Sequence, residues 1–322
     1  MDIKRNIHKI PDRTKLVVGV PRSGMIPAYM IGLILNIKVC SLDEFVHNIE
    51  PSNGLRPINT EEGSILIIDD SCGSGASMSA VKEKIRSAGI NNPDIKYAAV
   101  YCKGGSEAAL DIALTTLEFP RIFEWNYMNH SYIEYACFDI DGVLCVDPTE
   151  EENDDGEKYK NFILNAKPLY IPKYRVYALV SSRLEKYRTE TAAWLEKHNV
   201  RYQHLYLLDV PSKEHRQRFN MHAKFKAGVY AELKNAVLFY ESERAQAAEI
   251  AVLTQKPVFC TATDEYFDYS QGFNFQNALA AAQKREIWAR LKNIYKENPS
   301  MKRFITQIVK KSVKKLLKKG NA

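Results

Sequence analysis

The sequence predicts two doubly wound α/β domains built on parallel sheets, followed by a basic helical tail. Three observations predict this. Short aliphatic runs recur at Lys15–Val20, Ile65–Ile68, Ile95–Tyr101, Val176–Ser182 and Ala236–Tyr240, spaced by helix-length segments. Near-continuous apolar runs of this length read as buried parallel strands. Acids stand directly after such runs, at Asp69-Asp70 and at Asp139 and Asp141. The chain has 322 residues, more than one ordinary domain needs. The expected divisions are 1–130, 131–275 and a tail over 276–322.

Composition narrows the classes. A 45% hydrophobic and 11% aromatic content supplies two packed cores. No run of about 18 apolar residues is present, so no spanning helix is expected. The first residues lack the apolar stretch of a secretion signal. The six cysteines are scattered without metal-ligand or redox spacing. A reducing cytoplasm is the expected location. The net charge of +6 is uneven: residues 302–319 hold eight basic residues and no acid, and without those eight charges the remainder is −2.

Residues 65–78 organise the first domain. Ile65–Ile68 form a strand, and Asp69 and Asp70 close it. Ser71, Cys72, Gly73, Ser74, Gly75, Ala76 and Ser77 then make a small-residue loop before a helix over Ser79–Ser87. Ligands of open α/β sheets bind beyond the carboxyl ends of the strands. Small residues there let backbone N–H groups close around a phosphate at a helix N-terminus. The acids suit a ligand that also carries a vicinal diol or a magnesium ion, as a phosphorylated ribose does. The stretch resembles the phosphoribosyl pyrophosphate (PRPP) motif of type I phosphoribosyltransferases. That resemblance implies that Asp69 and Asp70 hold the ribose hydroxyls and that the loop Ser71–Ser77 holds the 5-phosphate.

The rest of the first domain follows in order. Strand Lys15–Val20 runs into Pro21-Arg22-Ser23-Gly24-Met25 and a helix through about Leu35. In the family this is the pyrophosphate loop, which carries over Arg22, Ser23 and Gly24. Arg22 can fork onto phosphate oxygens, and Gly24 lets backbone approach closely. Ile37–Leu42 is the next strand. The polar connection at 43–62, with His47 and Arg56, stands where relatives carry a mobile hood. His47 reads as a solvated loop residue. Residues 118–129 are aromatic and resemble the closing segment of that fold, with Trp125 read as core. No acidic base-recognition segment stands out.

A second unit begins at Tyr135–Val146, where an apolar strand meets Asp139, Asp141 and the turn at Gly142. Alternate carboxylates at a strand end share one side. The pattern resembles motif one of the haloacid dehalogenase-like (HAD) phosphatases. The resemblance implies Asp139 as the nucleophile and Asp141 as general acid and base. It implies Mg²⁺ held by Asp139, Asp141 and Glu241. Ser181, after the strand Val176–Ser182, is taken as the phosphoryl-binding hydroxyl. The charge-balancing lysine is Lys226, with Lys224 as the alternative. Glu241 is preferred over Glu243 as the further metal ligand, in a motif where many relatives have an acid at position 242. About 35 and about 40 residues separate the first three motifs, too few for a large cap. An open site suits bulky substrates.

The tail reads as helices over Gln283–Tyr295 and Met301–Lys319, broken at Pro299. In the second, Phe304, Ile305, Ile308, Val309, Val313, Leu316 and Leu317 cover one broad side. Such a helix suits an anionic membrane surface, at roughly 1 kcal/mol per lysine. Packing on the core and nucleic-acid binding are the alternatives, the latter disfavoured.

The whole arrangement, over about residues 10–260, resembles the dual-module ribofuranosyltransferases of bacterial polysaccharide assembly. It implies a PRPP donor, a glycan acceptor such as a lipid-linked oligosaccharide, Mg²⁺, and a place at the inner face of the membrane in O-antigen or capsule synthesis. The runner-up is a nucleobase phosphoribosyltransferase fused to a nucleotide phosphatase. A PRPP-sensing regulator is third. Intact phosphatase motifs speak against the regulator, and the open phosphatase and the tail speak against salvage.

Overall fold

The computed structural model describes residues 2–51, 57, 62–269 and 273–297. Arg56, Pro299 and the expected helix at Met301–Lys319 lie outside the described residues. The chain divides into two units, the first ending at Arg121 and the second beginning at Ile122. The expected division at 130/131 is therefore nine residues late.

The first unit runs α1 (Asp2–Arg5), β1 (Thr14–Gly19), α2 (Met25–Leu35), β2 (Lys38–Ser41), α3 (Leu42–Val46), β3 (Ser64–Cys72), α4 (Ala76–Ser87), β4 (Ile95–Cys102) and β5 (Ile112–Thr116). Its sheet has the order β2-β1-β3-β4-β5, parallel throughout. The chain steps from β1 to β2 on one side and then returns to place β3 on the other. Gly19 pairs with Ile68 at this reversal. The β1/β3 end is thus the topological switch point, where open sheets bind ligands.

Both faces of β3 are buried, which is why Ile65–Ile68 read as an unbroken apolar run. Leu66 and Ile68 pack with Val17, Ala28 and Ile31 on the α2 side. Ile65 and Ile67 pack with Met78, Val81 and Ile85 on the α4 side. The period of two then assigns Asp69 to the α4 face and Asp70 to the other. The strand extends through both acids to Cys72, and α4 starts at Ala76, three residues before the expected Ser79. Gly75 causes the early start. It takes a left-handed conformation (φ 79°) that a side chain would strain, and this turns the chain directly into helix. His47 is exposed and ends α3, its Nδ1 2.8 Å from the Asp43 carbonyl oxygen.

The second unit contains β6 (Ala136–Phe138), α5 (Glu157–Asn165), β7 (Val176–Leu184), α6 (Arg188–Lys197), β8 (Tyr202–Leu208), α7 (Lys213–Arg218) and α8 (Met221–Glu232). It continues with β9 (Leu238–Glu241), α9 (Arg244–Thr254), β10 (Val258–Cys260), β11 (Glu265–Phe267) and α10 (Phe275–Glu297). The order is β11-β10-β9-β6-β7-β8, with only β11 antiparallel. From β6 the chain builds β7 and β8 outward, then returns to lay β9 on the other side of β6. The switch point therefore falls at the end of β6, immediately before Asp139. Only α5 and loops lie between β6 and β7, so no large cap is inserted.

The core of this unit is aromatic. Phe138 stacks on Tyr240 with ring centroids 4.2 Å apart, and Trp194 is fully buried with its indole N–H donating to the Ala166 carbonyl at 2.8 Å. Two expectations change here. Trp125 is 42% exposed and stacks on Phe123, so it is not a core residue. The helix expected from Gln283 begins at Phe275. Its Phe275 and Ala282 are buried in the core of the second unit, and Glu286 accepts a hydrogen bond from the Tyr135 hydroxyl at 2.7 Å. Residues 276–297 thus belong to that domain and not to a tail.

Candidate active sites

In the first unit, Asp69 and the loop Ser71–Ser77 with Met78 line a cavity of ≈ 200 Å³. The first-turn N–H groups of α4 have no partner four residues back and carry the positive end of the helix dipole. The Ser77 hydroxyl donates to Asp69 Oδ2 at 3.5 Å, and the Asp70 N–H donates to Asp69 Oδ1 at 2.9 Å. Asp70 is equally buried but does not line the cavity, as strand alternation requires. Neither acid forms an ion pair among the described residues. Burial, followed by the charge of Asp70, pushes Asp69 up to about 7. Of the two it is Asp70 that interacts with a nearby cation, the Arg121 guanidinium, and two adjacent buried acids are a costly arrangement. A polyhydroxyl ligand or a cation would relieve it.

Arg121 was not legible as a site residue. It is 8% exposed, donates to the carbonyls of Cys72 at 3.0 Å and Tyr101 at 3.2 Å, and stacks on Phe119. Its guanidinium lies under Gly73, where an added Cβ would sit 3.2 Å from Nη2. The small-residue loop therefore rests on a buried positive charge, and Ser106 pins it further by donating to the Gly73 carbonyl.

The segment Pro21–Gly24 leaves the end of β1, next to β3. A Cβ at Gly24 would approach the carbonyl oxygens of Val20 and Ile68 to 2.5 and 2.8 Å, so only glycine lets the loop lie this close to the strand ends. Arg22 is exposed, Ser23 is half-buried, and Arg22 forms no ion pair among the described residues. These residues do not line the ≈ 200 Å³ cavity; they occupy the adjoining strand end of the same switch point.

In the second unit, a cavity of ≈ 580 Å³ opens at the end of β6. Asp139 is nearly fully buried; its Oδ1 accepts from the Ile140 N–H at 2.7 Å and its Oδ2 accepts from the Lys226 ammonium. Lys226 also donates to Glu241 Oε2 at 2.6 Å and to Gln246 Oε1 at 3.1 Å. Burial alone would lower the lysine, but the two carboxylates hold it above its ordinary range. Lys224 is exposed on the same helix, so of the two lysines it is Lys226 that meets Asp139 and Glu241. Glu241 is 1% exposed, whereas Glu243 caps α9 by accepting from the Ala245 N–H at 3.1 Å. Ser181 and Ser182 both line the cavity. The Ser182 hydroxyl donates to the His222 carbonyl at 3.5 Å; Ser181 Oγ accepts from the Arg183 N–H at 3.4 Å, which leaves its own proton for a ligand.

Asp141 departs from the expected metal trio. Arg183, fully buried, holds it with Nη2 2.6 Å from Oδ1 and Nε 3.1 Å from Oδ2. Asp141 and its neighbours hold Arg183 above its ordinary range despite burial, which acts the other way. A carboxylate held on both oxygens by a guanidinium has fewer lone pairs left for an ion. Among the described residues no three acids converge as a metal site. The lining still carries five carboxylates against Arg183, Arg216 and Lys226. An oxygen-rich, net negative donor set of this kind fits Mg²⁺, with Asp139 and Glu241 as the residues that would hold it.

No protein-family model matches the chain, and no curated protein does. Solved structures do. A xanthine-guanine-hypoxanthine phosphoribosyltransferase from Helicobacter pylori is similar over 37% of this chain and 78% of its own, at 19% identity and a TM-score of 0.26. A purine phosphoribosyltransferase from Pyrococcus horikoshii is similar over 38% and 87%, at 22% identity and a TM-score of 0.23. A chain of a Pnkp1/Rnl/Hen1 complex matches over 82% of this chain and 99% of its own, at 14% identity and a TM-score of 0.28. The fold assignment rests on the strand orders, which stand without these likenesses.

Proposed function

We propose that the chain is a two-module enzyme. The first unit transfers a 5-phosphoribosyl group from PRPP to a hydroxyl acceptor with release of pyrophosphate. The second removes the 5-phosphate. The observation that carries the reading is the presence, in one chain, of an acid-flanked phosphate cradle at one switch point and an Asp139–Lys226–Glu241 cluster at another.

In the first module the α4 N-terminus and loop Ser71–Ser77 bind the 5-phosphate, Asp69 and Asp70 the ribose hydroxyls, and Arg22, Ser23 and Gly24 the leaving pyrophosphate. The C1–O bond to pyrophosphate breaks, the acceptor oxygen bonds to C1 from the opposite face, and the acceptor's hydroxyl proton passes to the departing pyrophosphate. In the second module an Asp139 oxygen attacks phosphorus and the ester P–O bond breaks. Asp141, which must leave the Arg183 fork to carry a proton, gives that proton to the departing sugar oxygen. It then takes a proton from the water that attacks the aspartyl-phosphate, freeing phosphate and restoring Asp139. Ser181 donates to a phosphoryl oxygen and Lys226 balances the charge. Magnesium, when bound, neutralises phosphoryl charge that would repel the carboxylate.

The proposed acceptor is a sugar hydroxyl of a lipid-linked glycan in polysaccharide synthesis. The capless second cavity supports this, because it is open to a bulky product. Among the described residues no helix is long and apolar enough to cross a membrane; membrane attachment through the basic tail is part of the proposal. The test is ³¹P NMR of the full chain with PRPP, Mg²⁺ and either lipid-linked glycan or a nucleobase panel. The expected result is pyrophosphate and inorganic phosphate in equal amounts with glycan. Rapid pyrophosphate release with a nucleobase instead would overturn the acceptor assignment.

A further inference from the structure

Buried cations need anions. In the second cavity Lys226 and Arg183 have theirs, and Arg216 does not. Arg216 lies on α7, is 7% exposed and lines the cavity with Asp139 and Lys226. Its Nη1 donates to the Ser182 carbonyl at 2.6 Å. Its Nε is buried without any acceptor. No carboxylate lies within ion-pair distance of it among the described residues. Its Nη2 makes no hydrogen bond among the described residues, so the guanidinium keeps a donor and an uncompensated charge for an anion.

The local architecture fixes it there. Ser212 caps α7 by accepting from the His215 N–H at 3.3 Å. The Lys213 N–H donates to Asp155 Oδ2 at 3.0 Å, and Lys213 Nζ donates to the Asn153 carbonyl. Asp155 in turn accepts from the Tyr187 hydroxyl at 2.9 Å. The acidic segment before α5 therefore anchors the helix that presents Arg216. His222, beside it in the cavity, is pushed down to about 4, first by burial and then by Arg216 and Lys226, so it adds no competing charge at neutral pH.

We propose that Arg216 binds the phosphoryl oxygens of the substrate in the second cavity and makes that site selective for phosphomonoesters over phosphodiesters. The inference rests on reading this cavity as the phosphatase site. A terminal phosphate offers a free pair of oxygens and two negative charges; a diester offers one charge and carries a second substituent.

The full chain is tested with Mg²⁺, using inorganic phosphate as the binding probe and p-nitrophenyl phosphate and bis(p-nitrophenyl) phosphate as substrates. Arg216→Gln is expected to weaken phosphate binding by calorimetry, and to raise the monoester KM, by about 10- to 100-fold, the range for losing a charge-assisted hydrogen bond. Arg216→Lys is expected to fall between the two, and the preference for monoester over diester should shrink in Arg216→Gln. Unchanged phosphate affinity in a folded Arg216→Gln, as judged by circular dichroism, overturns the inference. Should Arg216→Gln not fold, Arg216→Lys decides on the same readout. A wild-type chain that binds phosphate through Arg216 but turns over neither ester refutes the phosphatase reading instead.

Discussion

Replacing Asp69 by Asn should make the first unit more stable at pH 8 while removing PRPP binding. Asp69 is 9% exposed, and burial and Asp70 move it from the ordinary 3.8 to about 7. Its folded value is raised, so its contribution to stability is full below about 3.8 and is lost as pH rises through about 7. At 1.36 kcal/mol per pKa unit, ionising it in place costs about 4 kcal/mol as an upper bound. Asn keeps the oxygen that accepts from the Asp70 N–H and carries no charge. The expected gain is about 2–4 kcal/mol at pH 8, falling to near zero at pH 4. The assay is urea denaturation in magnesium-free buffer at both pH values, with hydrogen-exchange protection of β3 peptides reporting on this unit alone. A variant no more stable than wild type at pH 8, or equally stabilised at pH 4, would refute the reasoning.

Three further outcomes are expected. Asp139→Asn should retain pyrophosphate release and accumulate a 5-phosphorylated product, read by mass spectrometry; loss of transfer in a folded variant would count against separate sites. Lys226→Met should abolish phosphatase activity and lower urea stability by about 3–5 kcal/mol, because it strands two buried carboxylates, while Lys224→Met should do neither. Gly24→Ala forces the loop off the Val20 and Ile68 carbonyls, and should raise the KM for PRPP without changing p-nitrophenyl phosphate hydrolysis.

Much of what makes both sites candidates was readable because the strands are buried on both faces. An acid directly after such a run has no solvated face to occupy, so Asp69, Asp70, Asp139 and Asp141 stood out. Lys226 was separable from Lys224 only in three dimensions, since about half a turn of helix decides burial. Arg121, Arg183 and Arg216 were harder. Each is a charged residue in an unremarkable local setting, and each becomes a buried cation only when distant segments close over it. Arg183 directly follows Ser182 in sequence, but its fork onto Asp141 spans 42 residues. The helix at Ala76 was placed late because Gly, Ser and Ala read together as loop, whereas Gly75 alone makes the turn. The domain boundary and α10 differ because residues 118–129 read as the closing segment of the first fold, whereas Tyr127 and Met128, like Phe275, pack in the aromatic core of the second unit.

The central claim is that the first unit binds PRPP beside Asp69 and Asp70, independently of the second. Titrating Mg·PRPP into the full chain by calorimetry tests it most directly. Saturable binding of one PRPP per chain, lost in Asp69→Asn/Asp70→Asn and unchanged in Asp139→Asn, is the predicted result. Absence of binding to the wild type, or binding that survives loss of both acids, would contradict it.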